Sequence, residues 1–462
     1  MISQAELVPL VNDYLLPRWQ TERRKLDRID RWARWDHEDP HRPRQATQEY
    51  RELAARSQAP WGDLIVGSVA QTLYVEGYRR PDEPEDSVGW DIWQANGMDS
   101  RQVALHRSAL TYGIAYGFAL PGNTLGGDPM PVMRGVSPRD MIAVYEDVAV
   151  DDWPVYAFRV AKTGEGWTLS VFDDEVVHKM YVENLGGKPQ GDIQIDIHAA
   201  GVCPVVRYTN RFDLEGRTAG EIEPFIPVLG RIDQTAFDRL VVQRFASWIV
   251  RTIAGMSVSD SAEAANVTAG EVAQQLKVSD ILIADDPDTK FGSLPATSLD
   301  GFIKAHESDL TVLAATSQTP AFELLGQMAN MSAEALAAAK SSQTAKSDER
   351  KHTFGEDHEQ FIRLASHLAG DTEGAADFNS QVVWADTTIR SLAQAADAYG
   401  KMATLLQIPP QVLWSKIPGL SQGDIDEAKA ILEDGGALDA LARALQGAQD
   451  PVETQPVQEE PV

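Results

Sequence analysis

The sequence predicts an α+β protein that is mainly helical. Apolar residues recur at helical spacing in most of residues 3–117 and again after residue 221. Between these regions, residues 130–210 alternate apolar and polar side chains and are rich in Val, Tyr and Phe, which is typical of antiparallel strands. The third observation is a single helical pattern from Ala333 to Leu368, which would extend ~54 Å at ~1.5 Å per residue.

Composition limits the class of protein. The 462 residues have room for several domains, and 43% hydrophobic and 24% charged residues are ordinary for a globular chain. A net charge of −28 argues against a surface that grips nucleic acid phosphates, although the acidity could equally serve only solubility. The single cysteine, Cys203, excludes an internal disulfide and indicates a buried apolar residue in a reducing compartment. Neither a signal peptide nor a run of ~18 apolar residues is apparent, so we expect no membrane segment.

The first helical region covers residues 3–35, and Pro9 and Pro17 are expected to divide it into shorter helices. Between Arg18 and Arg34 basic residues accompany two tryptophans. Because acidic residues are mixed in, this favours a solvated helix over a nucleic-acid contact. The apolar stripe of this region comprises Leu7, Leu10, Val11, Tyr14, Leu15 and Trp19. Two further helices are predicted at residues 59–75 and 100–117.

After the predicted strands, helix is expected at residues 221–255 and again at 299–317. These two helices flank a mixed insert, in which VSDILIADDP and TKFGSLP look like short strands. The chain order therefore predicts that the insert lies at the far ends of both helices. A loop leads to Ser332, a good N-cap for the long helix. A strand, FNSQVVWAD, and helices at 388–406, 409–414 and 422–445 follow, before an acidic tail at 447–462 that we expect to be disordered.

Two hydrolase motifs occur in the sequence, but the residues around each motif do not allow the geometry that it needs. The sequence HEDPH at residues 37–41 matches a zinc-hydrolase motif, but Pro40 prevents the helix that the motif needs. GLSQG at residues 419–423 matches a serine-hydrolase elbow, but it follows Pro418 and no histidine lies beyond His367.

An acidic turn is the remaining candidate for a site with chemistry. Asp285, Asp286 and Asp288 could ligate a cation, but the turn lacks the glycine and distal glutamate of an EF-hand loop, so a plain polar turn is favoured. No phosphate-binding or dinucleotide-binding glycine motif is present. We therefore predict no enzymatic activity, no catalytic residue, no cofactor and no metal.

The order of several segments resembles one known family. YRELAARSQAPWGDLIVGSVAQTLYVEGYR and WDIWQANGMDSRQVALHRSALTYGIAYGFALPG are similar to its wing segments, and CPVVRYTNRFD with AGEIEPFIPVLGRIDQ resembles the approach to its first stem helix. QTPAFELLGQMANMSAEALAAAKSSQTAK resembles a tunnel loop and the start of a long helix, and VVWADTTIRSLAQAADAYGKMATL a late strand and helix. Over most of residues 45–430 the chain thus resembles a tailed-bacteriophage portal protein of the siphophage type, related to portals of phages of Gram-positive hosts. Ala333 departs from the glycine that relatives often carry there.

The resemblance implies a portal fold that assembles into a ring, typically of twelve copies, at one capsid vertex of the virion. Double-stranded DNA would pass through it during packaging and ejection. Its expected partners are the terminase large subunit, the head–tail adaptor, and the major capsid and scaffolding proteins, with assembly in the host cytoplasm. The implied regions are a wing (1–220), a first stem helix (221–255), a clip (256–298), a second stem helix (299–317), a tunnel loop (318–332), a long wing helix and strand (333–387) and a crown (388–446).

The resemblance also implies which residues line the channel. The tunnel-loop candidates are neutral or apolar side chains suited to a sliding contact with DNA: Gln327, Met328, Asn330, Met331 and Ser332. Four basic residues of the long helix would either pair with acidic residues of neighbouring subunits, which we favour, or offset repulsion in the channel: Lys340, Lys346, Arg350 and Lys351. The alternatives are a metal-dependent hydrolase that uses the Asp cluster and a virion adaptor without a channel.

Overall fold

The computed structural model describes most of the chain. The described residues are 4–41, 48–81, 87–246, 251–254, 290–293, 298–326, 333–385 and 392–414, with residues 417, 428 and 432. The predictions for the turn at Asp285–Asp288, for most of residues 415–446 and for the tail lie outside them. The chain divides into two compact units, Met1–Ala385 and Asp386–Val462.

The amino-terminal helices cover one face of a sheet. The helix α1 (Gln4–Pro9), a π-helical segment (Leu10–Leu15) and α2 (Leu16–Ala33) begin or end close to the two prolines, as predicted. Four residues of the predicted apolar stripe pack on the sheet: Leu7, Val11, Leu15 and Trp19. Tyr14 differs, because 47% of it is exposed.

Four further helices and one strand complete the amino-terminal part. They are α3 (Gln48–Ser57), α4 (Trp61–Ala70), β1 (Val75–Arg79), α5 (Val88–Ala95) and α6 (Met98–Tyr112). The prediction of helix up to residue 117 is wrong at its end. Gly113 adopts a left-handed φ of 91° and terminates α6, so that residue 114 begins a strand instead.

The strands form antiparallel sheets, which confirms the predicted antiparallel segment. They are β2 (Ile114–Leu120), β3 (Val132–Val136), β4 (Met141–Val144), β5 (Tyr156–Thr163), β6 (Gly166–Phe172), β7 (Val176–Val182), β8 (Gln194–Ile197) and β9 (Val205–Thr209). β4 to β8 pair in chain order as a five-stranded sheet. β2 lies between β3 and β9 in a three-stranded sheet, and its central residues are buried.

Two helices that follow the sheets pack against each other. α7 (Ile226–Ala246) begins after a 3₁₀ turn (Glu223–Phe225). The next strands, β10 (Arg251–Ala254) and β11 (Lys290–Ser293), form an antiparallel pair, after which α8 (Asp300–Ser317) returns along α7. Arg231 of α7 and Asp309 of α8 form an ion pair at 2.9 Å.

The strand β10 corrects the prediction of helix over residues 221–255. Thr252 and Ile253 are β-branched, and their backbones pair with Gly292 and Phe291. A β-branched run that finds a partner strand is more stable extended than helical. The predicted strand in TKFGSLP and the predicted helix at 299–317 are confirmed.

The long helix is continuous in the structure. After the short helix α9 (Ala321–Leu325), α10 runs from Ala333 to Ala369, which confirms the sequence prediction. It supplies Phe354, Phe361 and Ile362 to the largest hydrophobic core, where they meet residues of α5, α6 and β9. A short helix, α11 (Thr372–Ala375), leads to β12 (Gln381–Trp384), which pairs antiparallel with β1.

The second unit has its own small core. The structure describes α12 (Leu392–Leu405) and α13 (Pro410–Trp414) in this unit, close to the predicted bounds. Tyr399 and Leu413 are buried together in it, packed against Ala403, Ile408 and Ile417.

Candidate functional site: the junction of the paired helices, the loop and the long helix

The described part of the predicted tunnel loop, residues 318–326, has a defined backbone. Gln318 takes a left-handed φ of 57° and ends α8. Thr319 N donates to the carbonyl of Ala314 at 3.1 Å, and Pro320 precedes α9. Gly326, with a φ of 66°, ends α9 in turn. The five loop candidates of the sequence analysis, Gln327, Met328, Asn330, Met331 and Ser332, lie outside the described residues.

Lys340 connects α10 to the short helix α9. Its Nζ lies 3.4 Å from Glu323 Oε1 and 5.8 Å from the centre of the Phe322 ring. The two charged side chains are 32% and 22% exposed, so water weakens their attraction. Both residues belong to the same chain. The pair joins α9 to α10, the two helices on either side of residues 327–332.

Lys346 is buried and contacts the ends of two other elements. Its Nζ lies 2.7 Å from Glu221 Oε2 and donates to the carbonyl of Ser317 at 3.0 Å. Glu221 comes just before α7, and Ser317 is the last residue of α8. One ammonium group thus contacts the segment that leads into one paired helix and the last residue of the other.

Glu221 accepts hydrogen bonds from several donors besides Lys346. Arg350 Nη2 and Arg211 Nη2 each lie 3.2 Å from one of its oxygens, and Asn210 Nδ2 donates to it at 3.0 Å. Burial alone would raise the pKa of Glu221, but the charges of Lys346, Arg211 and Arg350 lower it below its ordinary value. Burial lowers the pKa of Lys346, and Glu221 opposes that shift. We call the set Glu221, Lys346, Arg350 and Arg211 the Glu221 cluster.

The structure corrects the expectation for two of the four basic residues. Lys346 and Arg350 have side chains that are only 1% and 2% exposed, and both pair with Glu221 of their own chain. They therefore face neither a channel nor a neighbouring subunit, because both are enclosed in the fold, where both contact Glu221 and Arg350 also pairs with Glu349 at 2.8 Å. Lys351 Nζ donates to the carbonyl of Ala385 at 3.5 Å. Sequence reasoning missed Glu221, which stands with Glu223 just before an apolar helix and carries no signal that it is buried.

The HEDPH motif does not form a metal site. Residues 37–41 are not helical, and His37 Nε2 lies 2.8 Å from Asp233 Oδ2 of α7. Both side chains are nearly inaccessible, at 2% and 5% exposure. Burial raises the pKa of Asp233 to about 7 and lowers the pKa of His37. The pair attaches the segment after α2 to α7.

A second buried histidine arrangement lies in the main core. His106 Nε2 is 2.7 Å from His358 Nε2, and His358 Nδ1 is 2.9 Å from the hydroxyl of Tyr208. Burial lowers the pKa of His106 to about 4 and that of His358 well below its usual range, so both rings are neutral near pH 7. The sequence placed His358 on a helix beside Glu359, but nothing in it indicated His106 as its partner.

The described residues offer little that could perform chemistry. No three His, Cys, Asp or Glu side chains among them are grouped so as to hold a metal ion. A surface cavity of about 720 Å³ is lined in part by Trp153, Tyr156 and Cys203. Burial raises the pKa of the Cys203 thiol, so it is a poor nucleophile. Among the described helices, none is both long enough and apolar enough to cross a membrane.

Comparison with known proteins gives one family match. The family model of the phage portal proteins, SPP1 Gp6-like, matches residues 12–437. None of the curated proteins matches the chain. Among solved structures, the chain is similar to the neck of a native GTA particle with C12 symmetry (11% identity, TM-score 0.44, covering 82% of this chain and 96% of that chain) and to the neck of an empty GTA particle with C6 symmetry (10% identity, TM-score 0.42, covering 80% and 93%).

A match over residues 12–437 covers most of the sequence. The chain therefore belongs to the SPP1 Gp6-like family of phage portal proteins. As a member of this family it is a virion component, and the family supports its assembly into a homo-oligomeric ring.

Proposed function

We propose that this protein forms the ring-shaped channel at one capsid vertex through which double-stranded DNA is packaged and ejected. One arrangement carries the proposal. The paired helices α7 and α8 lead directly into the predicted tunnel loop, and the 37-residue helix α10 follows it. A loop braced between a helical pair and a long buried helix is a mechanical support for a constriction. In this proposal α7 and α8 are the stem, residues 318–332 are the tunnel loop, and the ring contains twelve copies.

The charge of the chain is suited to DNA that must slide. Duplex DNA carries one negative charge per ~1.7 Å, and clustered lysines or arginines would hold it. The net charge is −28, and two of the basic residues of α10, Lys346 and Arg350, are enclosed in the fold. The proposed loop contact consists of the neutral residues 327–332. DNA would therefore meet uncharged side chains in the loop, which cannot form ion pairs with its phosphates.

The remaining roles follow from the same arrangement. Residues 256–298 would form the clip, because β10 and β11 bring the ends of this segment together beyond the paired helices. The terminase large subunit would dock there during packaging, and the head–tail adaptor afterwards. The wing would face the major capsid and scaffolding proteins while the particle assembles in the host cytoplasm. The chain itself would be passive, and a separate terminase would hydrolyse ATP.

Negative-stain microscopy of the purified full-length chain tests the proposal. We expect rings with a central hole, whose class averages give the copy number. A monodisperse monomer at every protein and salt concentration would contradict a ring channel and favour an adaptor. Nuclease or esterase activity that remains with the pure chain and is lost in Asp285→Asn/Asp286→Asn would favour the hydrolase.

A further inference from the structure

Lys346 joins three elements that the proposed function requires to act together. Its ammonium pairs with Glu221 in the segment that leads into α7, donates to the carbonyl of Ser317 at the end of α8, and is carried by α10. The two contacts, at 2.7 and 3.0 Å, are both within hydrogen-bond distance. Among the described residues, the other side chains of the Glu221 cluster form their hydrogen bonds and ion pairs elsewhere than at the end of α8.

The chain leaves α8 along a rigid path. The hydroxyl of Ser317 donates to that of Thr319 at 3.0 Å, and both residues are at most 4% exposed. Thr319 N is bonded to the carbonyl of Ala314, one turn back in α8. A displacement of Ser317 therefore displaces the beginning of the predicted tunnel loop by a similar amount.

The part of α10 that carries Lys346 is itself fixed. One turn before it, Gln343 Nε2 donates to the carbonyl of Ser68 at 2.8 Å, and Ser347 Oγ accepts from Thr72 Oγ1 at 2.8 Å. Ser68 lies in α4 and Thr72 just after it, outside the helical pair. Lys346 is thus a fixed point against which the positions of α7 and α8 are set.

The chemistry of a buried ammonium explains why a lysine serves here. Apolar side chains pack against each other through non-directional contacts that tolerate small shifts. A buried ammonium must keep its acceptors within about 3 Å, because an unpaired charge in the interior is strongly unfavourable. A shift of α8 by about 1 Å would therefore cost far more at Lys346 than at an apolar contact.

We infer that Lys346 is the positioning residue that holds the base of the tunnel loop, at the end of α8, against α10 and the segment that leads into α7. The inference rests on the proposed function and extends it. It assigns Lys346 to the control of DNA in the channel and not to formation of the ring. Loss of the ammonium should leave the fold and the ring intact, because Glu221 keeps Arg350, Arg211 and Asn210. Loss of the ammonium should instead change the position of the tunnel loop.

The test compares three variants of the full-length protein in phage and as purified rings. Lys346→Met removes the ammonium and keeps an unbranched side chain of similar length. Leu169→Ala is the matched control, because Leu169 is 1% exposed in the separate core beneath the five-stranded sheet. Deletion of residues 327–331 tests the loop itself. Ring formation is scored by microscopy, and DNA-filled particles are counted by density gradient at a temperature at which all variants are folded.

We expect Lys346→Met to form rings of the normal copy number and to reduce the yield of DNA-filled particles about tenfold. Leu169→Ala should form rings and fill particles normally. The inference is overturned if Lys346→Met packages normally, if it fails to form rings, or if Leu169→Ala reduces filling to the same extent. If the deletion impairs filling while Lys346→Met does not, only the role of Lys346 fails. If the deletion packages normally, the proposed role of the loop fails as well.

Discussion

Lys346 Nζ lies 2.7 Å from Glu221 Oε2, and neither side chain is more than 1% exposed. The two residues are far apart in the sequence and come from different elements. Their contact binds the long helix by charge to the segment that leads into α7. A buried pair of this kind contributes little net stability compared with well-packed apolar residues, but breaking it is costly because one charge remains buried.

The first prediction concerns this pair. Lys346→Met should lower the free energy of unfolding by about 2 kcal/mol, because Glu221 and the Ser317 carbonyl each lose a charge-assisted hydrogen bond while Glu221 keeps Arg350 and Arg211. Urea unfolding followed by circular dichroism measures the change. Lys340→Met is the matched control, since Lys340 is 32% exposed and its pair with Glu323 should be worth less than about 1 kcal/mol. Equal effects of the two variants would contradict the assigned burial.

The second prediction concerns the backbone that places Glu221. A Cβ at Gly220 would lie 2.1 Å from the carbonyl oxygen of Thr111, which cannot move away freely because it belongs to α6. Gly220→Ala should therefore lower the free energy of unfolding by at least about 2 kcal/mol. Gly301→Ala is the control, because a Cβ there meets no atom within 4 Å. A Tm for Gly220→Ala equal to that of the control would show that the close approach is wrong.

The third prediction concerns pH. Burial raises the pKa of Asp233 to about 7 beside His37, while in the unfolded chain it keeps its ordinary value of 3.8. The folded state therefore holds a proton that the unfolded state has released, so the stabilisation is present at lower pH and is lost as the pH rises through about 7. We expect the free energy of unfolding to fall between pH 6 and 8 relative to that of Asp233→Asn.

The difference between the two proteins reports the Asp233–His37 pair, because His37 lies 2.8 Å from Asp233 and its own titration depends on the charge there. The asparagine keeps the shape of the side chain and a hydrogen bond to His37 but has no proton to lose. Urea unfolding at pH 6, 7 and 8 gives the two profiles. Parallel profiles would mean that Asp233 is already ionised at pH 6.

The fourth prediction tests the tunnel loop. Deletion of Gln327 to Met331 should leave rings intact and impair DNA packaging or retention, because the proposed contact with DNA is removed. Leu125→Ser is the control, since Leu125 is fully exposed on a turn of the wing. Ring formation by microscopy and DNA content of particles are the two measurements. Normal packaging by the deletion would refute the role of the loop.

Much of the fold follows from local patterns. The helix Ala333–Ala369, the antiparallel strands between residues 132 and 209 and the helix ending at Ser317 all lie where periodicity predicted them. The errors in the predicted secondary structure lie where the local pattern fits both a helix and a strand. Residues 114–117 and 251–254 were predicted as helix and lie in strands, because glycine ends the first helix and a partner strand pairs with the second segment.

Less of the candidate site could be predicted from the sequence. The basic residues of α10 were visible, but their helical spacing did not show which side of the helix is buried, since α10 has polar residues all round near Lys346. The partner Glu221 is determined by the packing of α10 against the segment before α7. The sequence alone does not show where a charged side chain lies, because that depends on which opposite charge the fold places beside it.

The sequence by itself determined the order and type of most elements and the resemblance to portal proteins, because periodicity, caps and motif order are local properties of the chain. Only the tertiary structure decided that Lys346 and Arg350 are internal, that His37 pairs with Asp233 and that His106 meets His358. These contacts join residues that are distant in sequence. They form because the fold buries both partners together, and burial depends on the whole fold. The same side chains in solvent would have different pKa values and different partners.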